Sequence, residues 1–210
     1  MVKKPPEQPK VNPWDRRPWP SQGDKSDSLT YEAMGRALTA WEHHEAALSM
    51  LFSMFVGNLN TRAGRRAYNA VRTFEGRAEM LRAASETYFL ESPNADWQRQ
   101  FKDIFRNAKG FSPRRNDIAH SIVGIFLTYP FGPEDTPPPL TYALYPSLAA
   151  YKDRSHDETP EYCYTSVELL YFSNAFLMLQ TAPYKLAASI LLNGTGRDAL
   201  LPKPLLPDRE

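Results

Sequence analysis

The chain has 210 residues and a formal net charge of +1, and 42% of its residues are hydrophobic. A domain usually takes about 100–200 residues, so we expect one domain with tails, and this apolar content excludes a wholly disordered chain. No run approaches the roughly 18 consecutive apolar residues of a membrane-spanning helix, and residues 1–28 are too charged and proline-rich for a secretory signal. The single cysteine, Cys163, excludes an internal disulfide and a cysteine-based zinc site. We therefore expect a soluble, cytoplasmic protein with no membrane partner.

Proline separates the tails from a central domain. Of 19 prolines, six fall in residues 1–20 and three in residues 202–207, where they favour chain without regular structure. We interpret residues 1–28 as a disordered or extended N-terminal arm, 29–193 as a helical domain and 194–210 as a C-terminal tail. The tryptophans of the arm are expected to be loose or docked on the domain.

The first predicted helix begins at Thr30. Its apolar residues recur at steps of three, four or seven, which is the spacing of one buried stripe: Met34, Leu38, Trp41, Leu48, Phe52 and Phe55. Glu45 interrupts this stripe, and a buried carboxylate has to face a cationic partner. The neighbouring His43 and His44 are expected in solvent or at an interface.

Helices continue through the middle of the chain. A second helix is predicted over 61–91, and Asn94 can cap a third helix that Gly110 ends. Ser112 followed by Pro113 then has the pattern of a helix start, a capping residue before a first-turn proline. The sequence therefore predicts a separate short helix that runs to about residue 120.

The hydrophobic period changes after that short helix. Residues 122–128 and 140–145 are rich in β-branched and aromatic residues around a proline-rich loop, which is typical of a β-hairpin. Thr165 and Glu168 form a capping box for a last helix, in which Pro183 should cause a kink or a split. The sequence therefore predicts a mainly α protein, a helical bundle with a small β-hairpin insertion before the last helix.

Positive charge is concentrated in the middle of the chain. Residues 61–82 hold six Arg against two Glu, and residues 99–115 hold six Lys or Arg against one Asp. Residues 131–168 reverse this balance, with seven Asp or Glu against two Lys or Arg. The pattern permits a local anionic partner such as a phosphate backbone, and the alternative is an Arg-rich helix face that lies in solvent.

Residues 112–120 carry the most chemistry. They place two guanidinium groups, an amide, a carboxylate and an imidazole at the predicted start of a helix. Arginine offers a fork of donors that fits phosphate oxygens, a helix N-terminus adds unpaired N–H groups, and an imidazole exchanges protons near neutral pH. A phosphate clamp with a proton shuttle is what cleavage of RNA by its own 2′-hydroxyl requires.

This arrangement resembles the HEPN superfamily, the higher eukaryotes and prokaryotes nucleotide-binding domain. The family motif is an Arg, a spacer of four to six residues and a His, often with Asn after the Arg, and residues 115–120 (Arg-Asn-Asp-Ile-Ala-His) have the common form. The acid in the first helix, the late motif helix and the closing helix also look like the family's bundle. Many members are metal-independent endoribonucleases, often toxins or phage-defence effectors, and they work as dimers.

The resemblance implies an endoribonuclease that uses no cofactor and no metal. Its catalytic residues are expected to be Arg115, Asn116 and His120, in a composite site shared by two copies of the chain. We interpret Glu45 and Asp117 as supporting residues, and Arg114 and Lys109 as RNA-binding residues. RNA, a second copy of the chain, and an antitoxin or regulatory protein are the expected partners.

Several of these residues can instead have a purely structural role. Arg115 can form a bridge to Glu45 or Asp117, His120 can be a core histidine, and Glu45 can be a buried acid bonded to Arg or His. At the level of function, the alternative is a catalytically silent dimerisation or interaction module that binds a protein or nucleotide partner.

Overall fold

The computed structural model describes residues 12–57, 61–126, 140–147 and 160–194. Within these ranges the protein is mainly helical, with a two-stranded antiparallel sheet between the fourth and fifth helices. The elements in chain order are α1 (Asp27–Phe55), α2 (Thr61–Ala70), α3 (Phe74–Glu91), α4 (Ala95–Ala119), β1 (Ser121–Ile125), β2 (Tyr142–Pro146) and α5 (Ser166–Gly194). The predicted fold class, a helical bundle with a small β insertion before the last helix, is confirmed.

The chain divides into two compact units. The first comprises residues 1–42 and 108–177, and the second comprises residues 43–107 and 178–210. Helices α1, α4 and α5 are each divided between the two units, with one segment of the helix in each unit. The motif over residues 115–120 belongs to the first unit.

Aromatic side chains fill the core of the first unit. Trp41 and Phe111 each pack edge-on against Phe176, with ring centroids 5.2 and 5.8 Å apart. Ile118, within the motif segment of α4, is fully buried in the same unit. The C-terminal end of α4 is therefore anchored by apolar packing just before its polar motif, at Phe111, and within it, at Ile118.

The small sheet follows α4 directly. Strands β1 and β2 are antiparallel, with Ile122 opposite Tyr145 and Gly124 opposite Ala143. The sequence predicted longer strands, and residues 127–128 and the proline-rich loop at 130–139 lie outside the described residues. A single residue, His120, separates the helix from the sheet.

Buried Asp24 ties the start of α1, strand β2 and the start of α5 together. Its carboxylate accepts hydrogen bonds from the Thr30 hydroxyl at 2.6 Å and from the Ser166 backbone N–H and hydroxyl at 2.8 and 2.6 Å. Its backbone exchanges two hydrogen bonds with Tyr142. Helix α1 begins at Asp27 rather than at the predicted Thr30, and the Thr30 side chain donates to Asp24 from within the first turn.

The predicted single helix over 61–91 is wrong, because the chain breaks between α2 and α3. Thr73 has extended backbone (φ −96°, ψ 147°), and its side chain accepts a hydrogen bond from the Gly76 N–H at 3.2 Å. Thr73 is thus an N-cap for α3, which starts at Phe74. A capping threonine in a proline-free stretch gave too weak a signal to predict this break.

The second unit has its own aromatic core. Phe55 near the end of α1 contacts Tyr88, Phe89 and Phe101, with ring centroids 5.3, 5.5 and 5.3 Å apart. These contacts join α1 to α3 and α4 within this unit. They also confirm that the stripe predicted for the first helix is buried at its C-terminal end.

Helix α4 begins as predicted but does not end at Gly110. The Asn94 side chain caps it by accepting a hydrogen bond from the Trp97 N–H at 3.0 Å. The helix then continues through Pro113, so the predicted short helix from Ser112 is wrong. Buried residues continue at helical spacing across the proline: Phe101, Ile104, Ala108, Phe111 and Ile118. Their burial offsets the roughly 3 kcal/mol that a proline inside a helix costs.

One of the two hydrogen bonds of the predicted capping box is present at the start of the last helix, the one from the Thr165 N–H to the Glu168 side chain. Glu168 accepts hydrogen bonds from the backbone N–H of Thr165 at 2.9 Å and from its hydroxyl at 2.5 Å. Helix α5 runs unbroken through Pro183, so the expected split is absent. Among the described helices, α5 alone is long and apolar enough to cross a membrane by length and composition, and 28% of its most apolar window is buried. Core helices of soluble proteins have the same length and composition.

Candidate functional site

The motif lies at the C-terminal end of α4. The backbone N–H of His120 donates to the Asn116 carbonyl at 3.0 Å, and the His120 carbonyl accepts from the Ser147 N–H at 3.2 Å. The expected anion site at a helix N-terminus is therefore wrong, because the motif is at the other end of a helix. A helix C-terminus carries a negative partial charge, which favours Arg side chains and opposes a phosphate. Any anion bound here must be held by side chains.

The three predicted catalytic residues lie close together in the chain and reach solvent. Arg115 donates to the Asn116 side-chain oxygen at 3.2 Å and lies 3.8 Å from a Glu42 carboxylate oxygen. Its side chain is 30% exposed. His120 is exposed, so the alternative of a core histidine is wrong, and its imidazole has no hydrogen bond or ion pair within the described residues.

The bridge that the sequence allowed for Arg115 has a different partner. The carboxylate beside Arg115 is Glu42, whereas the predicted partners were Glu45 and Asp117. Glu42 is itself 69% exposed, so this contact is a solvent-screened one of small energy. Arg115 is therefore free to exchange Glu42 for another anion at little cost.

Asp117 is the centre of a polar network. Arg16 binds it with two hydrogen bonds of 3.2 and 3.3 Å, Arg114 approaches it at 3.1 Å, and the Tyr164 hydroxyl donates to it at 3.2 Å. Burial would lower the pKa of Arg16, but the hydrogen bonds and charge of Asp117 outweigh it and raise that pKa. Burial and the charge of Asp117 both raise the pKa of Tyr164. Asp117 is thus a structural acceptor whose oxygens are already engaged.

The same network also provides hydrogen bonds to the backbone at the C-terminal end of α4. The backbone carbonyl of Asp117 accepts hydrogen bonds from the Tyr162 hydroxyl at 3.0 Å and from the Ser121 hydroxyl. Tyr162 stacks on Tyr164 with ring centroids 4.9 Å apart, and the Arg16 guanidinium lies 4.9 Å from the Tyr162 ring centre. These groups satisfy a carbonyl that has no partner within the helix. They hold the motif segment in one backbone position.

The N-terminal arm packs beside the motif. Trp14 meets Phe111 edge-on, with ring centroids 5.9 Å apart, and a Cβ atom at Gly110 would overlap the Trp14 ring. The Pro13 carbonyl accepts a hydrogen bond from the Tyr171 hydroxyl at 3.0 Å. Gly110 therefore allows the arm to approach the helix closely and does not stop the helix. Of the two possibilities for the arm's tryptophans, docking on the domain is the one observed for Trp14.

Glu45 belongs to the second unit and forms a buried ion pair there. Its carboxylate lies 2.8 Å from Arg77 and accepts a hydrogen bond from the Tyr68 hydroxyl at 3.5 Å. Burial, and then the charge of Glu45, raise the pKa of Tyr68. These contacts give Glu45 the structural role that was the alternative to a supporting role in catalysis.

His44 is buried, whereas the sequence placed it in solvent or at an interface. Its side chain is 1% exposed, and burial lowers its pKa to about 4, against the opposing effect of a hydrogen bond with the Leu179 backbone. Its neighbour His43 is exposed, as expected. The helical spacing distinguishes the two histidines, because His44 lies three residues after Trp41 and four before Leu48, on the side of the buried stripe, whereas His43 lies on the opposite side of α1.

The two predicted RNA-binding residues differ in exposure. The Arg114 side chain is 13% exposed and pairs with Asp117, so it serves the network and offers little to a phosphate. Lys109 is exposed on α4. Lys109 and Asn116 are seven residues apart, two helical turns, and therefore lie on one face of α4. The candidate anion-binding face therefore carries Lys109 and Asn116, with His120 one turn beyond Asn116 and Arg115 bonded to the Asn116 side chain.

The comparisons with known proteins identify no relative of this chain. No protein-family model matches this chain, and no characterised protein or solved structure is similar to it. Among the described residues, no group of three His, Cys, Asp or Glu side chains could hold a metal ion. Function is therefore argued from the geometry of the motif segment.

Proposed function

We propose that this protein is a metal-independent endoribonuclease of the HEPN type, a cytoplasmic toxin or phage-defence effector. The proposal rests on three side chains that lie together at the C-terminal end of α4, those of Arg115, Asn116 and His120. Arg115 is partly exposed and bonded to Asn116, and His120 follows one turn later with an exposed imidazole. A charged fork and a proton carrier at one accessible helix end are the parts that this reaction requires.

The reaction is an internal transfer within the RNA strand. The 2′-hydroxyl attacks the adjacent phosphorus, so that the O2′–P bond forms and the P–O5′ bond breaks. His120 accepts the proton of the 2′-hydroxyl, and His120 of the partner subunit donates a proton to the departing 5′ oxygen. The products carry a 2′,3′-cyclic phosphate and a free 5′-hydroxyl. This division of roles is the reason to expect a homodimer with a composite site.

Arg115 stabilises the charge that develops on the non-bridging phosphate oxygens. Its planar guanidinium offers two parallel donors, and the contact with Asn116 restricts its rotation. The end of α4 is electronegative, so positive charge must come from side chains, namely Arg115 and Lys109. Asp117 takes no part in proton transfer and positions the segment through Arg16 and Tyr164.

The second candidate function is a catalytically silent module that binds a protein or nucleotide partner. One observation favours it: the motif occupies a helix C-terminus, where the backbone does not assist anion binding. In this case Arg115 and His120 contribute to a docking surface for a regulatory protein such as an antitoxin.

Cleavage of labelled RNA in excess EDTA distinguishes the two functions. We expect the wild-type protein to cleave at least one class of RNA and to leave 2′,3′-cyclic phosphate ends. His120→Ala should lower the rate by about 10²–10⁴, the usual effect of losing a general acid or base. Arg115→Lys should also lower it, because an ammonium lacks the two-donor fork. His43→Ala is the matched control, since it removes an exposed histidine outside the motif.

The melting temperature is measured on the same preparations. Both motif side chains reach solvent, so their loss should leave it nearly unchanged. A wild-type protein that leaves every RNA class intact supports the silent module. Equal rates per folded molecule for His120→Ala and His43→Ala would end the catalytic assignment of His120.

A further inference from the structure

A cavity of about 570 Å³ lies between helices α3 and α4, and every residue that lines it belongs to the second unit. Small-molecule sites usually have volumes of about 300–1,000 Å³, so the cavity has room for a small organic ligand. We call it the α3–α4 groove. The residues that set its chemistry are Arg82, Phe89 and Leu90 on α3 and Phe101, Lys102 and Phe105 on α4.

Aromatic side chains form the walls of the α3–α4 groove. The Phe101 ring centroid lies 6.3 Å from that of Phe89 and 5.8 Å from that of Phe105. Phe89 and Phe101 also contact Phe55, so the aromatic core of the second unit holds them in place. Leu90 lines the groove as well and is 82% exposed. The groove is therefore a preformed apolar surface, which a ligand can cover without rearranging the core.

The charged residues of the α3–α4 groove leave one cation without a carboxylate partner. Arg82 pairs with Glu86 at 2.5 Å, and Arg106 pairs with Asp103 at 2.9 Å. Lys102 is exposed and has no hydrogen bond or ion pair with a described residue. A ligand complementary to the groove therefore carries one negative charge next to an apolar body.

We propose that the α3–α4 groove binds an organic monoanion with an apolar chain, a carboxylate of the fatty-acid type. The chain covers the rings of Phe89, Phe101 and Phe105, and the carboxylate accepts a hydrogen bond from the Lys102 ammonium. The inference goes beyond the proposed ribonuclease and does not rest on it, since no residue of the 115–120 motif lines the groove.

Other occupants match the α3–α4 groove less well. A bilayer does not reach concave walls such as Phe89 and Phe101, which are only 8% and 6% exposed. A nucleic acid strand requires several free cations along its backbone, whereas only Lys102 is free here. An α-helix of a partner protein is about 10 Å across, so about 7 Å of its length, little more than one turn, would fill this volume. A small amphipathic anion fits the volume, the walls and the charge together.

Equilibrium dialysis of the full chain against radiolabelled decanoate, below its micelle concentration, tests the proposal. We expect saturable binding of one molecule per chain. Unlabelled octanoate should compete up to about tenfold more weakly than unlabelled decanoate, because it buries two methylenes fewer. Decyltrimethylammonium has the same chain length and the opposite charge, so it should compete about tenfold more weakly or not at all.

Substitutions of two exposed residues locate the binding site. Lys102→Gln removes the free ammonium and should weaken decanoate binding by about threefold to tenfold. Leu90→Asp should have a similar effect, since it replaces an apolar wall with a negative charge at a position that is 82% exposed. Lys185→Gln and Leu192→Asp are the matched controls, because these exposed residues of α5 do not line the groove. Both controls should bind decanoate like the wild type.

Circular dichroism on each variant shows whether the helices are retained. Absence of saturable binding to the wild type, equal competition by decanoate and decyltrimethylammonium, or unchanged affinity in both Lys102→Gln and Leu90→Asp would overturn the proposal. Flotation with phospholipid vesicles that Leu90→Asp abolishes, in a protein that does not bind decanoate, would identify a membrane as the occupant instead. His120→Ala should bind decanoate like the wild type. A wild-type protein that binds decanoate but leaves every RNA intact would reject the ribonuclease and support the α3–α4 groove.

Discussion

Asp117 and His120 lie three residues apart in the motif but differ in exposure and in hydrogen bonding. This difference distinguishes a residue with a structural role from one that is available for chemistry. Asp117 is 13% exposed and accepts hydrogen bonds from Arg16 and Tyr164, whereas His120 is exposed and its ring has no hydrogen bond or ion pair with a described residue. Replacing a buried carboxylate whose oxygens all accept hydrogen bonds leaves its donors without partners and lowers stability. Such a carboxylate is therefore suited to holding the motif segment in place. An imidazole that has no hydrogen bond to the protein can exchange a proton with a ligand without breaking such a bond. The two residues should therefore respond differently to substitution.

Asp117→Asn tests the structural side of this contrast. The amide keeps the shape of the carboxylate but loses the charge that Arg16 and Arg114 face, so we expect the free energy of unfolding to fall by about 1–3 kcal/mol. Urea unfolding measures this change. The control is Asp103→Asn, because Asp103 pairs with Arg106 on an exposed helix face and should cost less than about 0.5 kcal/mol. Equal losses for the two variants would contradict a central role for Asp117.

Stability should depend on pH through His44. Its pKa is about 4 in the folded protein and 6.5 when exposed, so between these values the unfolded chain binds a proton that the folded chain does not. The His44 contribution is therefore fully present above pH 6.5 and is lost as the pH falls towards about 4. At 1.36 kcal/mol for each pH unit, the loss amounts to about 3 kcal/mol.

Urea unfolding across this pH range measures the effect. His44→Gln should flatten the dependence between pH 6.5 and 4, because it removes the group that titrates. His43→Gln should leave the dependence intact, since His43 is exposed. A slope that persists unchanged in His44→Gln would assign the pH dependence to other groups.

At the scale of elements, two helix caps predicted from hydrogen bonds within one turn are present, whereas two helix boundaries predicted from glycine and proline are absent. The Asn94 cap and the Thr165–Glu168 box are set by hydrogen bonds between residues three apart, so the sequence predicts them directly. Gly110 and Pro113 were interpreted as helix boundaries from local propensity. The helix continues through them because Phe111 and Ile118 are buried, which no local pattern contains.

The close approach of the arm to α4 gives Gly110 a measurable role. Ala is favoured over Gly inside a helix by roughly 0.5–1 kcal/mol, but a Cβ atom at Gly110 would overlap the Trp14 ring. We expect Gly110→Ala to destabilise the wild-type protein and to stabilise a Trp14→Ala background by about 0.5–1 kcal/mol. Urea unfolding of the four proteins measures both effects. Trypsin should also cut after Arg16 faster when the arm is released. Equal effects of Gly110→Ala in both backgrounds would show that the arm does not pack there.

At the scale of the whole molecule, the motif could be found from the sequence but its surroundings could not. Residues 115–120 stand out by residue type and spacing alone. Arg16 lies 101 residues before Asp117, and Tyr164 lies 47 residues after it, so their contacts depend on the folded chain. The direction of the helix dipole at the motif was mistaken for the same reason, since it depends on where α4 begins. Long-range contacts therefore decide which motif residues are structural and which are available to a ligand.

Binding of RNA should depend steeply on salt, because it rests on local positive charge in a chain of net charge +1. Each phosphate that a Lys or Arg neutralises releases counterions, which adds about 0.7 to the slope of log affinity against log salt for a single strand. The His120→Ala variant allows binding to be measured without cleavage. In that background Lys109→Ala should reduce the slope by about 0.7, whereas Lys25→Ala, an exposed lysine in the segment before α1, should leave it unchanged. A flat dependence in the parent variant would remove RNA as the ligand of this surface and leave a protein partner for Arg115 and Lys109.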